Sequence, residues 1–265
     1  METEAVLDLL KQTAVDVITP RFRALAEGEV FVKDHPGDLV TVADRESEKV
    51  ITAALRRAYP DAMILGEEAA AADPSLLEVF AGAEHSFTID PIDGTYNFVH
   101  GKADHAVMVA ELRSGEVVRS WIWQPEHQLA FVAEKGAGAY RNGERLPLLA
   151  PSADSNSWRG ISSQSQIRDG EFDGLAPVRE TWFCAGVDYS HLAAGDIDFI
   201  VFAHAKAWDH APGLLLLSEV GGTIQRADGT RYDPAVARPW LIGGASPAVA
   251  DGVRTYLGDA IGTLG

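Results

Sequence analysis

Asp90-Pro91-Ile92-Asp93-Gly94-Thr95 is the stretch on which the reading of this chain turns. It comes after a short apolar run, Phe87-Thr88-Ile89, and sets two carboxylates three residues apart ahead of Gly-Thr. The run reads as the end of a buried strand, and the residues after it read as a turn into a helix start. Two acids there can converge on hard cations. The backbone N–H groups of Gly94 and Thr95, at a helix N-terminus, can hold an anion. A carboxylate pair beside an anion cradle is what metal-assisted phosphoryl hydrolysis requires.

The bulk properties permit such a site. A chain of 265 residues suits one large domain, 1–265, or two intimate halves. Its 46% apolar content is ordinary for a folded globular protein, which argues against disorder. No apolar run approaches the roughly 18 residues of a membrane span. Met1-Glu2-Thr3-Glu4 is acidic rather than basic, so a secretory signal is not expected. The single cysteine, Cys184, excludes an internal disulfide and a thiolate metal cluster, and a reducing, cytoplasmic setting is expected. The net charge of −17 argues against nucleic acid and anionic membrane as partners. It would also repel a phosphate substrate, unless bound divalent cations reverse the sign locally.

Along the chain, Val6, Leu9, Leu10, Ala14, Val17 and Ile18 predict a helix from Glu4 to about Ala26. A second helix is predicted from near Asp44 to just before Pro60, and a short strand over Asp61 to Leu65. Ala69 to Ala83, interrupted by Pro74, reads as a loop with one short helix. Ala106–Leu112, Val117–Trp123 and Leu129–Ala133 are strand-like, and Asn142-Gly143 is a hairpin turn signal. Ala150 to Ser157 reads as a linker between halves of about 1–150 and 151–265. Beyond it a strand near Thr181, a helix over Tyr189–Ala194, a strand over Phe199–Ala203 and a helix from about Asp209 to Val220 predict mixed α/β layers.

Four acids stand at the edges of apolar elements: Glu67 after Ile64-Leu65-Gly66, Asp90, Asp93, and Asp209 in Ala207-Trp208-Asp209-His210. Four such acids brought together repel and shift one another's pKa values, and Mg2+, with its preference for oxygen ligands, resolves the conflict. Each also has a plainer reading. Asp209 could cap the helix that comes after it, Asp93 could be an Asp-Gly turn residue, and Glu67 could be a surface loop acid.

Taken in order, these segments resemble the inositol monophosphatase family. Gly66-Glu67-Glu68, Asp90-Pro91-Ile92-Asp93-Gly94-Thr95 and Trp208-Asp209 look like its three metal motifs. Asp38-Leu39-Val40-Thr41-Val42-Ala43-Asp44 looks like its preceding motif. Asn97 to Gly101, Gly136 to Gly143 and the Gly221-Gly222 helix stop continue the match, which runs from about Lys33 to Gly222. The resemblance implies a layered αβαβα sandwich of the inositol monophosphatase and fructose-1,6-bisphosphatase type. It implies two to three Mg2+ ions: one on Glu67, Asp90 and the Ile92 carbonyl, one on Asp90, Asp93 and Asp209, and a weaker third on Glu67 and water. It implies that Thr95, hydrogen-bonded to Asp44, activates the attacking water, that Gly94 and Thr95 N–H groups bind phosphate, and that the protein is a Li+-sensitive homodimeric phosphatase of a small phosphate monoester.

The substrate-facing positions depart from the family. Phe183-Cys184-Ala185-Gly186 stands where relatives often carry Gly-Thr/Ser-Ala, and Phe202 stands where an acid grips sugar hydroxyls. A phenyl ring accepts no hydrogen bond from a polyol. Ala185, Phe202 and Asp188 are therefore the candidate substrate rim, with Asp188 alternatively the N-cap of the helix at Tyr189. Tyr96 replaces a residue that is often Thr. Inositol 1-phosphate is the reference substrate; histidinol phosphate and fructose bisphosphate are rivals at the same site. A partner protein that retains the fold without turnover is the reading of a different class.

Overall fold

The computed structural model describes residues 1–33 and 37–261. Residues 34–36, inside the motif span that starts near Lys33, and residues 262–265, at the end of the expected 1–265 domain, lie outside the described residues. In chain order the first half holds α1 (Thr3–Thr13), β1 (Val30–Val32), β2 (Leu39–Thr41), α2 (Val42–Ala58), β3 (Met63–Gly66), α3 (Glu67–Ala72), α4 (Leu76–Ala81), β4 (His85–Asp93) and α5 (Thr95–Val99). Next come β5 (Ala106–Arg113), β6 (Glu116–Gln124), β7 (Leu129–Glu134), β8 (Gly138–Arg141) and β9 (Glu144–Arg145). The rest is β10 (Gly160–Ser162), α6 (Ser165–Arg168), β11 (Arg179–Glu180), α7 (Ala185–Ala193), β12 (Phe199–Phe202), α8 (Ala207–Ser218), β13 (Thr223–Arg226), β14 (Leu241–Gly244) and α9 (Pro247–Leu257).

Strands β3 to β9 form one seven-stranded sheet in sequence order, with only the β3–β4 pair parallel. A second sheet has the order β11-β10-β12-β14-β13. The period of two along each strand builds the layers. On β5, Val107 and Val109 join Val6 and Leu10 of α1 and Ile51 and Leu55 of α2 in one core. Met108 and Ala110 join a second core with Tyr189 and Leu192 of α7, Leu214 to Leu217 of α8, and Ile200 of the other sheet. Phe199 and Val201 point the opposite way, into a third core with Val249, Val253 and Leu257 of α9. The result is helix, sheet, helix, sheet, helix: the five layers expected. Helix α8 is apolar all round, with Leu214, Leu215, Leu216 and Leu217 all buried, because it is pressed between two sheets. No helix among the described residues is long and apolar enough to cross a membrane.

Several element boundaries differ from the sequence reading. The N-terminal helix is regular only to Thr13. It widens into a π turn over Ala14–Ile18 and a 3-10 turn over Thr19–Arg21, because Pro20 cannot continue an α-helix to Ala26. The Ala-rich segment holds two short helices, α3 and α4, separated at Pro74, rather than one. Asn142 and Gly143 both take positive φ, 50° and 82°, which is the hairpin turn their dipeptide signals.

A buried carboxylate ties the N-terminus to the first sheet. Glu111 on β5 is 2% exposed and accepts from His85 Nε2 at 2.9 Å, from Arg113 Nη2 at 2.9 Å and from Arg119. Arg119 in turn donates to Tyr59 Oη at 2.9 Å and to the Met1 carbonyl at 3.0 Å. Removing one side of such a pair leaves uncompensated charge in the interior. Glu111→Gln is expected to cost about 3 kcal/mol, which chemical denaturation measures. A loss below about 0.5 kcal/mol would show that water replaces the carboxylate.

Candidate active site

The site is assembled at the end of β4. Asp90 pairs with Met108 and Asp93 pairs with Ala106, and the register slips between them. Met108 and Ala106 belong to the same core, on one face of β5. In a regular strand, residues three apart face opposite sides. Here the bulge lets Asp90 and Asp93 face the same side, since directly paired residues share a face. Pro91, which has no N–H to give to the ladder, sits in the irregular stretch. Gly94 then turns the chain into α5 with φ of 80°, and a Cβ there would lie 3.0 Å from the Asp104 carbonyl and from Cys184 Cβ. Only glycine meets both demands without strain.

A cavity of about 200 Å³ opens at this point, and Glu67, Asp90, Ile92, Asp93, Gly94, Thr95 and Asp209 all line it. A larger cavity, about 940 Å³, lies elsewhere, between α1 and strands β6 to β8, and is lined by none of these residues. Burial first, then the carboxylates of Glu67, Asp93, Asp209 and Asp44, push the Asp90 pKa well above its ordinary value. Burial, Glu67 and Asp93 do the same to Asp209, against the opposing pull of Lys206. Asp90 Oδ1 is buried with no hydrogen-bond partner among the described residues.

Each acid is held by its own device. Glu67 is the first residue of α3, whose N-cap is Gly66. The cap bonds come from Glu48 on α2, which accepts from Glu68 N at 2.7 Å and Ala69 N at 2.9 Å. Glu48 packs so closely on Gly66 that any Cβ at that position would collide with its carboxyl group. Burial raises Glu48 to about 7, although both N–H groups pull it down. Asp93 Oδ2 accepts from Gly186 N at 2.6 Å and from Cys184 Sγ at 3.0 Å, so it caps α7 from another element. Asp209 is the third residue of α8, whose N-cap is Lys206, so the N-cap reading of Asp209 does not hold.

Asp44 lies in a capping box with Thr41, accepting from Thr41 N at 2.8 Å and Thr41 Oγ1 at 2.5 Å. Its other oxygen, Oδ1, is 3.0 Å from Thr95 Oγ1, which also lies 2.9 Å from the Ile92 carbonyl. One hydroxyl proton serves one of these acceptors at a time. Burial raises Asp44 to about 7, the Thr41 bonds opposing and the Glu67 and Glu68 charges reinforcing.

The expected substrate rim is placed differently. None of Ala185, Phe202 and Asp188 lines the cavity. Phe202 packs its ring 5.4 Å from Tyr189 and 4.8 Å from His210. Asp188 is buried in the first turn of α7 and accepts from Trp182 N at 2.9 Å; the helix starts at Ala185, so Asp188 is not its N-cap. Ala185 opens α7 beside Asp93. Three further side chains, given no part in the chemistry by the sequence, enter the site. Lys33 Nζ donates to Glu67 Oε1 at 2.9 Å and Glu68 Oε1 at 2.5 Å, Lys206 lines the cavity, and Cys184, packed in the apolar core, also contacts Asp93. Lys33 and Cys184 meet their partners across the fold, so nothing local in the chain signals them, whereas Lys206 stands only three residues before Asp209.

Among the described residues, no group of three or more His, Cys, Asp or Glu side chains is arranged to hold a metal ion as the side chains stand. Glu67 is turned to Lys33, and the remaining acids repel one another. The donor chemistry nevertheless fits a hard divalent cation: the acids and the Ile92 carbonyl offer only oxygen, and one buried carboxylate oxygen has no partner.

Comparison with known proteins agrees with this architecture. The model of the inositol monophosphatase family matches residues 2–255. The chain is 34% identical over 205 residues to an inositol-1-monophosphatase of Rhizobium meliloti, covering 73% of this chain and 74% of that protein. It is 33% identical over 207 residues to the Nus factor SuhB of Pseudomonas aeruginosa, covering 73% and 74%. A staphylococcal inositol monophosphatase-1, solved after a LiCl soak, shares the fold with a TM-score of 0.84 at 23% identity, over 96% of this chain and 93% of that one. An acid cluster at a strand bulge, in this five-layer fold and with this family match over nearly the whole chain, places the protein in the inositol monophosphatase family, whose members are phosphatases.

Proposed function

We propose that the protein hydrolyses a small-molecule phosphate monoester with the help of Mg2+, using water as the nucleophile. The observation that carries this reading is the Thr95–Asp44 contact, Oγ1 to Oδ1 at 3.0 Å, at the edge of an acid-lined cavity. Glu67, Asp90, the Ile92 carbonyl, Asp93 and Asp209 would hold two to three divalent ions, with Asp90 shared. Such ions supply positive charge to the phosphoryl group and acidify water.

The chain's own groups do the rest. Thr95 Oγ1 accepts a hydrogen bond from the attacking water while passing its proton toward Asp44 Oδ1. Asp44 is buried, which favours its protonated form, so its carboxylate is suited to take that proton. The water oxygen bonds to phosphorus, the P–O ester bond breaks, and the leaving alkoxide is protonated from solvent. The first N–H groups of α5, from Gly94 and Thr95, have no partners within the helix and offer bonds to the phosphoryl oxygens. Glu67 must leave Lys33 to take part. No side-chain nucleophile is required, so a covalent enzyme intermediate is not expected.

Inositol 1-phosphate is the reference substrate. Histidinol phosphate and fructose bisphosphate are rivals at the same site. A cytoplasmic homodimer of single-domain subunits, each with halves of about 1–150 and 151–265 and sensitive to Li+, completes the reading. The test is phosphate release from inositol 1-phosphate, histidinol phosphate and fructose bisphosphate, with and without Mg2+. Release that requires Mg2+ is the expected result, and equal release in a metal chelator would overturn the mechanism.

One observation favours a second reading, a partner-binding role: the 33% identity to a Nus factor. Absence of metal-dependent hydrolysis across the panel, together with a stable complex with transcription proteins, would move the assignment there.

A further inference from the structure

Two lysines face the acid cluster, and they differ in what they do. Lys33 is satisfied, with its ammonium bonded to both Glu67 and Glu68. Lys206 is exposed, lines the same cavity, and holds its ammonium 5.7 Å from the centroid of the Trp208 ring. It makes no side-chain hydrogen bond among the described residues. The charges it feels are Asp209, then Glu67 and Asp38, with Lys33 opposing. Its two leading counter-charges, Asp209 and Glu67, are therefore carboxylates assigned to metal in the proposed function.

Lys206 and the metal ions thus compete for Asp209 and Glu67. Without divalent cations, Lys206 is offset by the acids. Once cations take Asp209 and Glu67, Lys206 is left with Asp38 and with whatever anion enters the cavity. The cavity is about 200 Å³, and Gly94 and Thr95 line it together with Lys206. A phosphate group held at the start of α5 shares that small space with an ammonium that lacks a hydrogen-bonding partner among the described residues. An ammonium is a compact point charge with three donors on a flexible stem, suited to such an anion.

We propose that Lys206 is a substrate-binding residue, whose ammonium engages the phosphate group of the ester once the acid cluster has been neutralised. The assignment rests on the phosphatase reading of this site, but its test does not require turnover. Binding of inorganic phosphate in saturating Mg2+ is measured by calorimetry on wild type, Lys206→Gln and Lys206→Arg, with melting temperatures to confirm folding. Lys206→Gln should weaken phosphate binding by about tenfold or more, the value of one charged hydrogen bond, and Lys206→Arg should stay within about threefold of wild type. In Lys206→Gln, Mg2+ should bind no more weakly than in wild type, since a competing positive charge has been removed. For turnover, KM should rise with kcat nearly unchanged.

Wild-type phosphate affinity in folded Lys206→Gln would overturn the proposal and leave Lys206 as an offset to the acids alone. So would a loss of Mg2+ binding that accounts for the loss of phosphate. If phosphate binding depends on Lys206 but no ester is hydrolysed, the binding role stands and the hydrolytic reading fails.

Discussion

Asp90→Asn should abolish turnover, with kcat/KM falling about a thousandfold or more, roughly 4 kcal/mol of transition-state stabilisation. The substitution preserves shape and removes charge from the acid that would serve two metal ions at once. Asp90 Oδ1 is already buried without a partner among the described residues, so no other interaction compensates for the lost ligand. The stabilisation of the fold by added Mg2+ should shrink in parallel, read as a smaller rise in melting temperature. Activity within tenfold of wild type would remove Asp90 from any bridging role.

The same variant carries a pH signature in the metal-free protein. Burial and the surrounding carboxylates hold the folded pKa of Asp90 well above its ordinary value. The folded state then binds more protons than the unfolded state, so this group's contribution turns against folding as pH climbs from the ordinary carboxylate range through the raised value. Asp90→Asn removes that contribution. The variant should therefore gain stability relative to wild type as pH rises above the ordinary carboxylate range. A difference that runs the other way would mean that Asp90 is not held in its raised state without metal.

Thr95→Ala should lower kcat by about a hundredfold to a thousandfold, the scale of a positioned proton-transfer group, with Mg2+ affinity near wild type. The Thr95 hydroxyl sits 3.0 Å from Asp44 Oδ1 and 2.9 Å from the Ile92 carbonyl, and alanine empties that relay without touching the acid cluster. Thr95→Ser, which keeps the hydroxyl, should recover most of the rate. Stopped-flow or steady-state kinetics at saturating Mg2+ separates the cases. Normal saturated turnover with weakened Mg2+ binding would recast Thr95 as a support for the metal site.

The order of the motifs, the α2 helix ending before Pro60, the β5 to β7 meander and the Asn142-Gly143 hairpin are all legible in the residues themselves. They rest on forces that act within a turn or two of chain: hydrophobic period, a proline stop, and the φ that a residue permits. The start of α7 is illegible for the opposite reason. No local residue caps it, because its cap is the Asp93 carboxylate, so Ala185 and Gly186 alone give no sign of a helix start. The start of α3 is held in the same way by Glu48, from α2. Counting along the chain puts Phe202 and Asp188 at the substrate rim, whereas neither lines the cavity: Phe202 packs on Tyr189 and Asp188 accepts from Trp182 N.

By itself, then, the sequence determined which family this protein belongs to and which acids are proposed for its chemistry, since residue type and order suffice for that. Only the tertiary structure decided how those acids stand. A strand bulge turns Asp90 and Asp93 to one face, carboxylates remote in sequence cap the short helices of the site, and Lys33 and Lys206 supply cations with opposite states of satisfaction. The caps and Lys33 depend on partners remote along the chain, and contacts of that range carry no local signal in the residues themselves; Lys206 stands only three residues before Asp209.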